Sequence, residues 1–236
     1  MAIYSTFLQR SYDQIMQDVG MLGLHTVFAV DRAGLVGEDG ETHHGVYDIG
    51  FLRQVPGMEI LCPASLAELE DMLEYAVLEH KGPVAVRYPR GGNRGYTDSA
   101  WNGGKVCTHR IGKDVTIVTY GTVVDNVLEA ARLLEEQGIE ATVLRLLSVG
   151  KLPVSELKNS LSNGPVVVLE EACTGSGIRE ALAWELKQAG FEHEIYGIDL
   201  GRRYVTHGDM KNLYAHYGLD GQSVARFVQE VMSDEN

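Results

Sequence analysis

Thr26-Val27-Phe28-Ala29-Val30, continuing into Asp31-Arg32-Ala33-Gly34-Leu35-Val36-Gly37-Glu38-Asp39-Gly40-Glu41-Thr42-His43-His44-Gly45, is the stretch on which the fold turns. The first part reads as a buried strand. The second gathers a cation, acids and two imidazoles on a glycine-rich loop. Glycine admits turns that other residues resist and lets a ligand approach the backbone closely. Charged groups at the carboxyl end of a parallel strand sit where open α/β sheets bind ligands. The strand-and-loop pair therefore predicts an α/β fold with a site at its strand ends.

Outward from this stretch, β and α signals alternate. Ala2-Ile3-Tyr4 reads as a strand, followed by a helix with Leu8, Tyr12, Ile15 and Val19 on one face and Gly20 and Gly23 at its end. A short helix is expected from Tyr47 to Gln54, then strands at Glu59 to Cys62 and Val84 to Arg87. Between those strands lies a helix with Ser65 as N-cap and Glu68 completing a capping box. The Gly-, Asn- and Ser-rich segment from Asn93 to about Arg110 reads as a linker, placed at residues 96–110 between a first domain over 1–95 and a second over 111–236. Strands follow at Val115 to Tyr120, Thr142 to Leu147, Pro165 to Leu169 and Glu194 to Ile198. Helices lie between them, and a last one runs from about Gln222 to Met232. The expectation is two α/β domains, each with a parallel sheet covered on both faces.

At 236 residues both domains can bury a core. A net charge of −13 argues against a nucleic-acid surface, which needs clustered Lys and Arg. Cys62, Cys107 and Cys173 lack metal-ligand spacing and disulfide density, which suits a reducing cytoplasm. No apolar run is long enough to span a membrane, and the first residues lack a secretory signal pattern.

Several residues carry candidate chemistry. Arg32 fits either a bidentate contact to a phosphate or carboxylate or a salt bridge to Asp31 or Glu38. Arg90, ending Arg87-Tyr88-Pro89-Arg90, is placed to share a crevice with Arg32, and two arginines favour an anion more than one does. His43 and His44 point in different directions and have no third ligand nearby, so no metal site is expected. One of them suits proton donation or a polar contact. Asp39 fits a turn-forming Asp-Gly pair, a partner to His43, or a contact to a polar ligand. Tyr4 and Phe7 suit either a cover for a flat heterocycle or core packing. Arg10 reaches either the same crevice or solvent. Cys173-Thr174-Gly175-Ser176-Gly177 has the form of an anion-binding turn, but Glu170-Glu171 beside it would repel phosphate and favours a structural role.

Ala2 to Gln14, the Asp31 to Gly45 loop with Asp48, and Val86-Arg87-Tyr88-Pro89-Arg90-Gly91 resemble the 1-deoxy-D-xylulose-5-phosphate synthase family in sequence and order. Tyr204 to Gly208 and Gly218-Leu219-Asp220 resemble its final domain more loosely. The resemblance implies a truncated pyrimidine-binding domain followed by a transketolase C-terminal domain. The implied reaction is thiamine diphosphate-dependent joining of pyruvate to glyceraldehyde 3-phosphate with loss of carbon dioxide, at the start of non-mevalonate isoprenoid synthesis, in a homodimer. It further implies that Tyr4, Arg32 and Arg90 line the acceptor and phosphate pocket. Phe7 would stack on the aminopyrimidine and Arg10 would support the cofactor side. Asp39, His43 and Tyr4 would be the catalytic group, with Asp39 and His43 contacting the substrate-derived adduct and moving protons. The domain holding the diphosphate and its magnesium is missing from the resemblance, as is the glutamate that promotes ylid formation. The chain is therefore expected to be inactive alone and to expose a sheet edge that lowers stability or drives self-association. A piece of another thiamine enzyme, of transketolase or 2-oxoacid dehydrogenase β type, and a non-catalytic assembly module are the rival readings.

Overall fold

The computed structural model describes residues 1–234. The first sheet has the order β1 (Ala2–Tyr4), β2 (Thr26–Asp31), β4 (Pro83–Arg87), β3 (Glu59–Leu61), and every pairing is parallel. Each of its inner strands, β2 and β4, carries two valines, as suits strands covered on both faces. All five residues of β4 are buried.

The helical run after β1 is not one regular helix. It consists of α1 (Ser5–Leu8), a 3-10 turn (Gln9–Ser11), α2 (Tyr12–Gln14) and a π turn (Ile15–Gly20). Leu8 and Ile15 are nonetheless buried, and Tyr12 and Val19 pack against the same cluster, so the expected apolar face holds while the pitch varies. Next come α3 (Asp48–Leu52) and α4 (Leu66–Leu78). Ser65 caps α4 by accepting from the Glu68 N–H at 3.1 Å.

The second sheet has the order β5 (Val106–Arg110), β7 (Ala141–Leu146), β6 (Val115–Tyr120), β8 (Val166–Leu169), β9 (Ile195–Ile198). It is parallel except for β5, which runs antiparallel to β7 with a register shift between Thr108 and Arg110. α5 (Val124–Glu135), α6 (Val154–Ser160), α7 (Arg179–Gln188), α8 (Met210–Tyr217) and α9 (Gly221–Asp234) complete this half.

Two elements depart from expectation. The 96–110 segment read as linker carries β5. Its preceding residues are fastened down: Asp125 accepts from the N–H groups of Gly95 and Tyr96, and the Ser65 hydroxyl donates to Asp98 O. Polar composition here reflects side-chain anchoring rather than looseness. α8 is a helix that the sequence reading left out. Asp209 caps it through Lys211 N and Asn212 N, and Gly218, at φ +74°, ends it in the left-handed conformation.

The two sheets share one apolar cluster. Leu8, Ile15, Phe28 and Leu52 from the first half pack with Val118, Leu144, Val168 and Leu182 from the second. Backbone bonds also cross the boundary, from Cys62 N to Leu147 O and from Val149 N to Ile60 O, both at 2.9 Å. The Arg145–Glu68 pair, fully buried on both sides, joins β7 to α4. Among the described residues no helix is long and apolar enough to cross a membrane.

Candidate active site

The loop from Arg32 to Gly45 is pinched at its neck. Gly34 and Gly45 exchange two backbone hydrogen bonds of 2.8 Å. A Cβ on Gly45 would lie 2.2 Å from Arg32 O and 2.6 Å from Ser5 Oγ, so only glycine allows this closure. Arg32, at φ +59°, is the one non-glycine residue with positive φ among those described. For an L-residue the left-handed region costs roughly 1–2 kcal/mol. Its guanidinium turns in toward the Tyr4 ring.

There Arg32 meets Asp39 in an ion pair. Its Nη2 donates to Tyr4 Oη at 3.3 Å, and its Cζ lies 4.4 Å from the centre of the Tyr4 ring. The salt-bridge partner is therefore Asp39 and not Asp31 or Glu38; Asp31 instead accepts from Arg32's own backbone N–H. Arg90 approaches the other Asp39 oxygen at 3.4 Å. The Tyr4 and Phe7 rings stack with centres 5.6 Å apart, and His43 stands edge-on to Phe7 at 5.4 Å. Arg10 lies 5.6 Å from the Phe7 ring centre. The structure thus brings Tyr4, Phe7, Arg10, Arg32, Asp39, His43 and Arg90 into one continuous cluster. Beside it, a cavity of about 350 Å³ is lined by Phe7, Arg10, Glu41, Tyr47 and Tyr204.

His44 does different work from His43. It is buried, Nδ1 accepts from Val36 N–H at 3.1 Å, and Nε2 donates to Thr206 O at 3.1 Å. These bonds define the neutral ring, and burial lowers its pKa below 6.5 against the opposing pull of the Thr206 carbonyl and Glu171. Burial, aided by the Arg145 cation, lowers His109 as well. A histidine with a depressed folded pKa contributes stability above its unfolded value of about 6.5 and loses it as pH falls toward the folded value. The thermal midpoint should therefore fall as pH drops from 7 to 5, and His44→Gln should flatten that slope in differential scanning calorimetry. An identical slope in the variant would mean that His44 does not titrate on unfolding.

The second half of the chain holds the loop from behind, through residues the sequence reading did not assign to it. Glu171 accepts from Leu35 N–H at 3.4 Å and from Tyr214 Oη at 2.9 Å, and its carboxylate fills the space beside Gly34. Cys173 N bonds Val46 O, and Gly208 N bonds Gly37 O. Arg87 donates from Nε and Nη2 to the two Asp48 oxygens, each at 3.0 Å, and from Nη2 to Gly45 O at 3.3 Å, fixing the loop's end. Burial disfavours the Arg87 cation, but the Asp48 charge outweighs it and raises the pKa. Burial pushes the Cys62 thiol beside this pair up to about 12, which keeps it protonated.

The Cys173–Gly177 turn has a structural role. Glu170 accepts from Ile178 N at 2.8 Å, from Arg179 N at 3.4 Å and from Tyr120 Oη at 3.1 Å, so its carboxylate sits at the start of α7 where an anion would bind. Among the described residues no group of three or more His, Cys, Asp or Glu could hold a metal ion.

Residues 1–94 match the family "Transketolase, pyrimidine binding domain", and residues 104–224 match "Transketolase, C-terminal domain". The chain is 42% identical over 241 aligned positions to 1-deoxy-D-xylulose-5-phosphate synthase of Gloeobacter violaceus, covering 99% of this chain and 38% of that protein. The synthase of Chlorobium luteolum is 39% identical over 97% of this chain and 37% of its own length. The chain thus spans less than two fifths of these curated relatives. Among solved structures, one described as "Split gene transketolase, inactive beta4 tetramer" has a TM-score of 0.84 at 26% identity, covering 98% of this chain and 75% of that one. A transketolase from Pichia stipitis, at TM-score 0.79 and 18% identity over 98% of this chain and 33% of its own, shares the fold.

Proposed function

This chain belongs to the transketolase family, joining a pyrimidine-binding domain to a C-terminal domain, and from that we propose that it is the matching part of a 1-deoxy-D-xylulose-5-phosphate synthase. The reaction would condense pyruvate with glyceraldehyde 3-phosphate and release carbon dioxide. The observation that carries this reading is the convergence of two arginines on one carboxylate beside Tyr4 and the stacked Phe7. Two guanidinium groups whose only acid among the described residues is a shared Asp39 suit a doubly charged phosphate ester, which both can bind.

The cavity beside Phe7 fits the flat half of thiamine diphosphate. Its walls join an aromatic ring and a cation with Tyr47 and Tyr204. When bound, the cofactor supplies the electron sink for decarboxylation and carbon–carbon bond formation. Phe7 would hold the aminopyrimidine and Arg10 would support it. Tyr4 would hold the acceptor with Arg32 and Arg90. The His43 imidazole has its Nδ1 engaged with Thr42 Oγ1 at 2.9 Å, and its Nε2 has no partner among the described residues. That nitrogen can pass a proton to or from a substrate oxygen. Asp39 would orient Arg32 and contact the substrate hydroxyls. We place the diphosphate and magnesium sites in the relatives' remaining length.

It follows that the 236-residue polypeptide is inactive by itself and acts with a diphosphate-binding portion, as part of a homo-oligomer. The similarity to a split-gene transketolase described as an inactive tetramer supports both points. The test mixes the chain with the diphosphate-binding portion of the Gloeobacter violaceus synthase, thiamine diphosphate, magnesium and both substrates. Carbon dioxide and 1-deoxy-D-xylulose 5-phosphate should form only in the complete mixture. Ketose-to-aldose transfer in their place would move the chain to the transketolases proper. Turnover by the chain alone would overturn the requirement for a second portion.

A further inference from the structure

A second cavity, of about 640 Å³, lies apart from the Phe7 cavity. Its size is within the range of small-molecule sites, roughly 300–1,000 Å³. Its walls come from both halves of the chain: the loop after β4, α5, α8 and the turn into α9. Arg90, Arg94 and Lys211 supply cations, and Glu129 and Asp220 supply acids. Lys211 stands in the first turn of α8 and Asp220 lies just past its end, about 12 Å away along an eight-residue helix.

Several of these groups lack partners within the protein. Lys211 Nζ and the Glu129 carboxylate make no hydrogen bond or ion pair among the described residues. Asp220 Oδ1 caps α9 through Gln222 N and Ser223 N, both at 3.1 Å, whereas Oδ2 is buried with no partner. A buried carboxylate oxygen without a donor is costly unless something donates to it. The cleft therefore offers the Lys211 ammonium for an anion near one end of α8 and the Glu129 carboxylate, beside Gly221, as an acceptor for hydroxyl or amino groups near the other.

Two lines of contact run from the cleft to the Arg32–Asp39 loop. Arg94 donates to Tyr214 Oη, Tyr214 donates to Glu171 at 2.9 Å, and Glu171 accepts from Leu35 N–H. Arg90 lines the cleft and also pairs with Asp39 at 3.4 Å. An anion that draws Arg90 or Arg94 toward itself changes its contacts with the loop, which is the differential interaction that coupling requires.

We propose that this interdomain cleft is an effector site for a small phosphate monoester bearing hydroxyl or amino donors, and that its occupation is transmitted to the Arg32–Asp39 loop. The test is an amide NMR titration of the ¹⁵N-labelled 236-residue chain with glycerol 3-phosphate. Saturable shifts are expected at Lys211, Tyr214 and Gln222, with a coupled shift at Leu35. Lys211→Gln, an exposed change that leaves the fold intact, should raise Kd roughly tenfold, the loss expected for one charge-assisted hydrogen bond. Arg32→Met should leave saturable shifts at Lys211, Tyr214 and Gln222 in place, since Arg32 does not line the cleft, with Kd changed only through the Asp39 that Arg32 and Arg90 share. Shifts centred on Tyr4 and Arg32 and abolished by Arg32→Met would overturn the proposal, as would an unchanged Kd in Lys211→Gln. Cleft binding with a silent Leu35 would overturn the coupling. None of these readouts needs the chain to catalyse anything, so failure of the proposed reaction and failure of this site are separate results.

Discussion

Replacing Arg145 with Met should lower the unfolding free energy of this chain by about 3–5 kcal/mol, the usual cost of stranding one member of a buried ion pair. Arg145 and Glu68 are both fully buried, with bonds of 2.6 and 2.9 Å. Glu68 also accepts from Ala64 N at 2.8 Å and Ala100 N at 3.2 Å, and Arg145 donates to His109 Nε2 at 3.0 Å and covers the Tyr96 ring. Burial disfavours the Arg145 cation, and the Glu68 hydrogen bond and charge more than restore it. Without Arg145 the carboxylate keeps, among the described residues, the two backbone donors Ala64 and Ala100 and no ion-pair partner. Since domains are stable by about 5–15 kcal/mol, the loss takes a large share of the total. Urea denaturation should show a lower midpoint. Adding Glu68→Gln should recover most of the loss, because it removes the charge while keeping an acceptor for Ala64. A loss below about 1 kcal/mol would place the pair with exposed salt bridges, contrary to its burial.

The second large effect concerns function. On the proposed synthase reading, Arg32→Met in the complete mixture should lower kcat/KM for glyceraldehyde 3-phosphate roughly 30-fold or more, corresponding to about 2 kcal/mol or more for a charged contact in a partly closed site. Arg32 is 18% exposed and meets both Asp39 and Tyr4. Arg90 is 50% exposed, so Arg90→Met should cost less. The comparison to make is between phosphorylated and unphosphorylated glyceraldehyde. Preference for the phosphorylated acceptor should collapse in Arg32→Met. An equal loss for both acceptors would mean that Arg32 holds the loop and not the phosphate.

The β/α alternation was legible because valine- and isoleucine-rich runs such as Val115 to Tyr120 cannot be placed except as buried strands, and that strand forms with those bounds. The seven candidate site residues were singled out at the ends of β1, β2 and β4, on the loop after β2 and in the helical run after β1, and the structure brings their side chains into one cluster, while their roles remain proposals. β5 escaped notice because Thr108, His109 and Arg110 carry little apolar pattern; its stability comes from pairing to β7 and from Arg145 reaching His109. α8 was signalled by Asp209 and Gly218, but its apolar residues are few. Glu171 was recognised only as a charge that would repel phosphate. Its grip on Leu35 spans 136 positions of sequence, a distance over which local pattern is silent. The irregular pitch of residues 5–20 was likewise hidden, since a 3-10 or π turn shifts the angle between side chains without changing which ones are apolar.

The carboxylate of Glu170 at the head of α7 has a broader implication. The Cys173–Gly177 turn has the glycines of an anion-binding turn, yet the socket is already plugged from within, and a Cβ on Gly177 would collide with the plug. The glycine pattern of that turn consequently reports how the strand passes into α7 and carries no information about cargo.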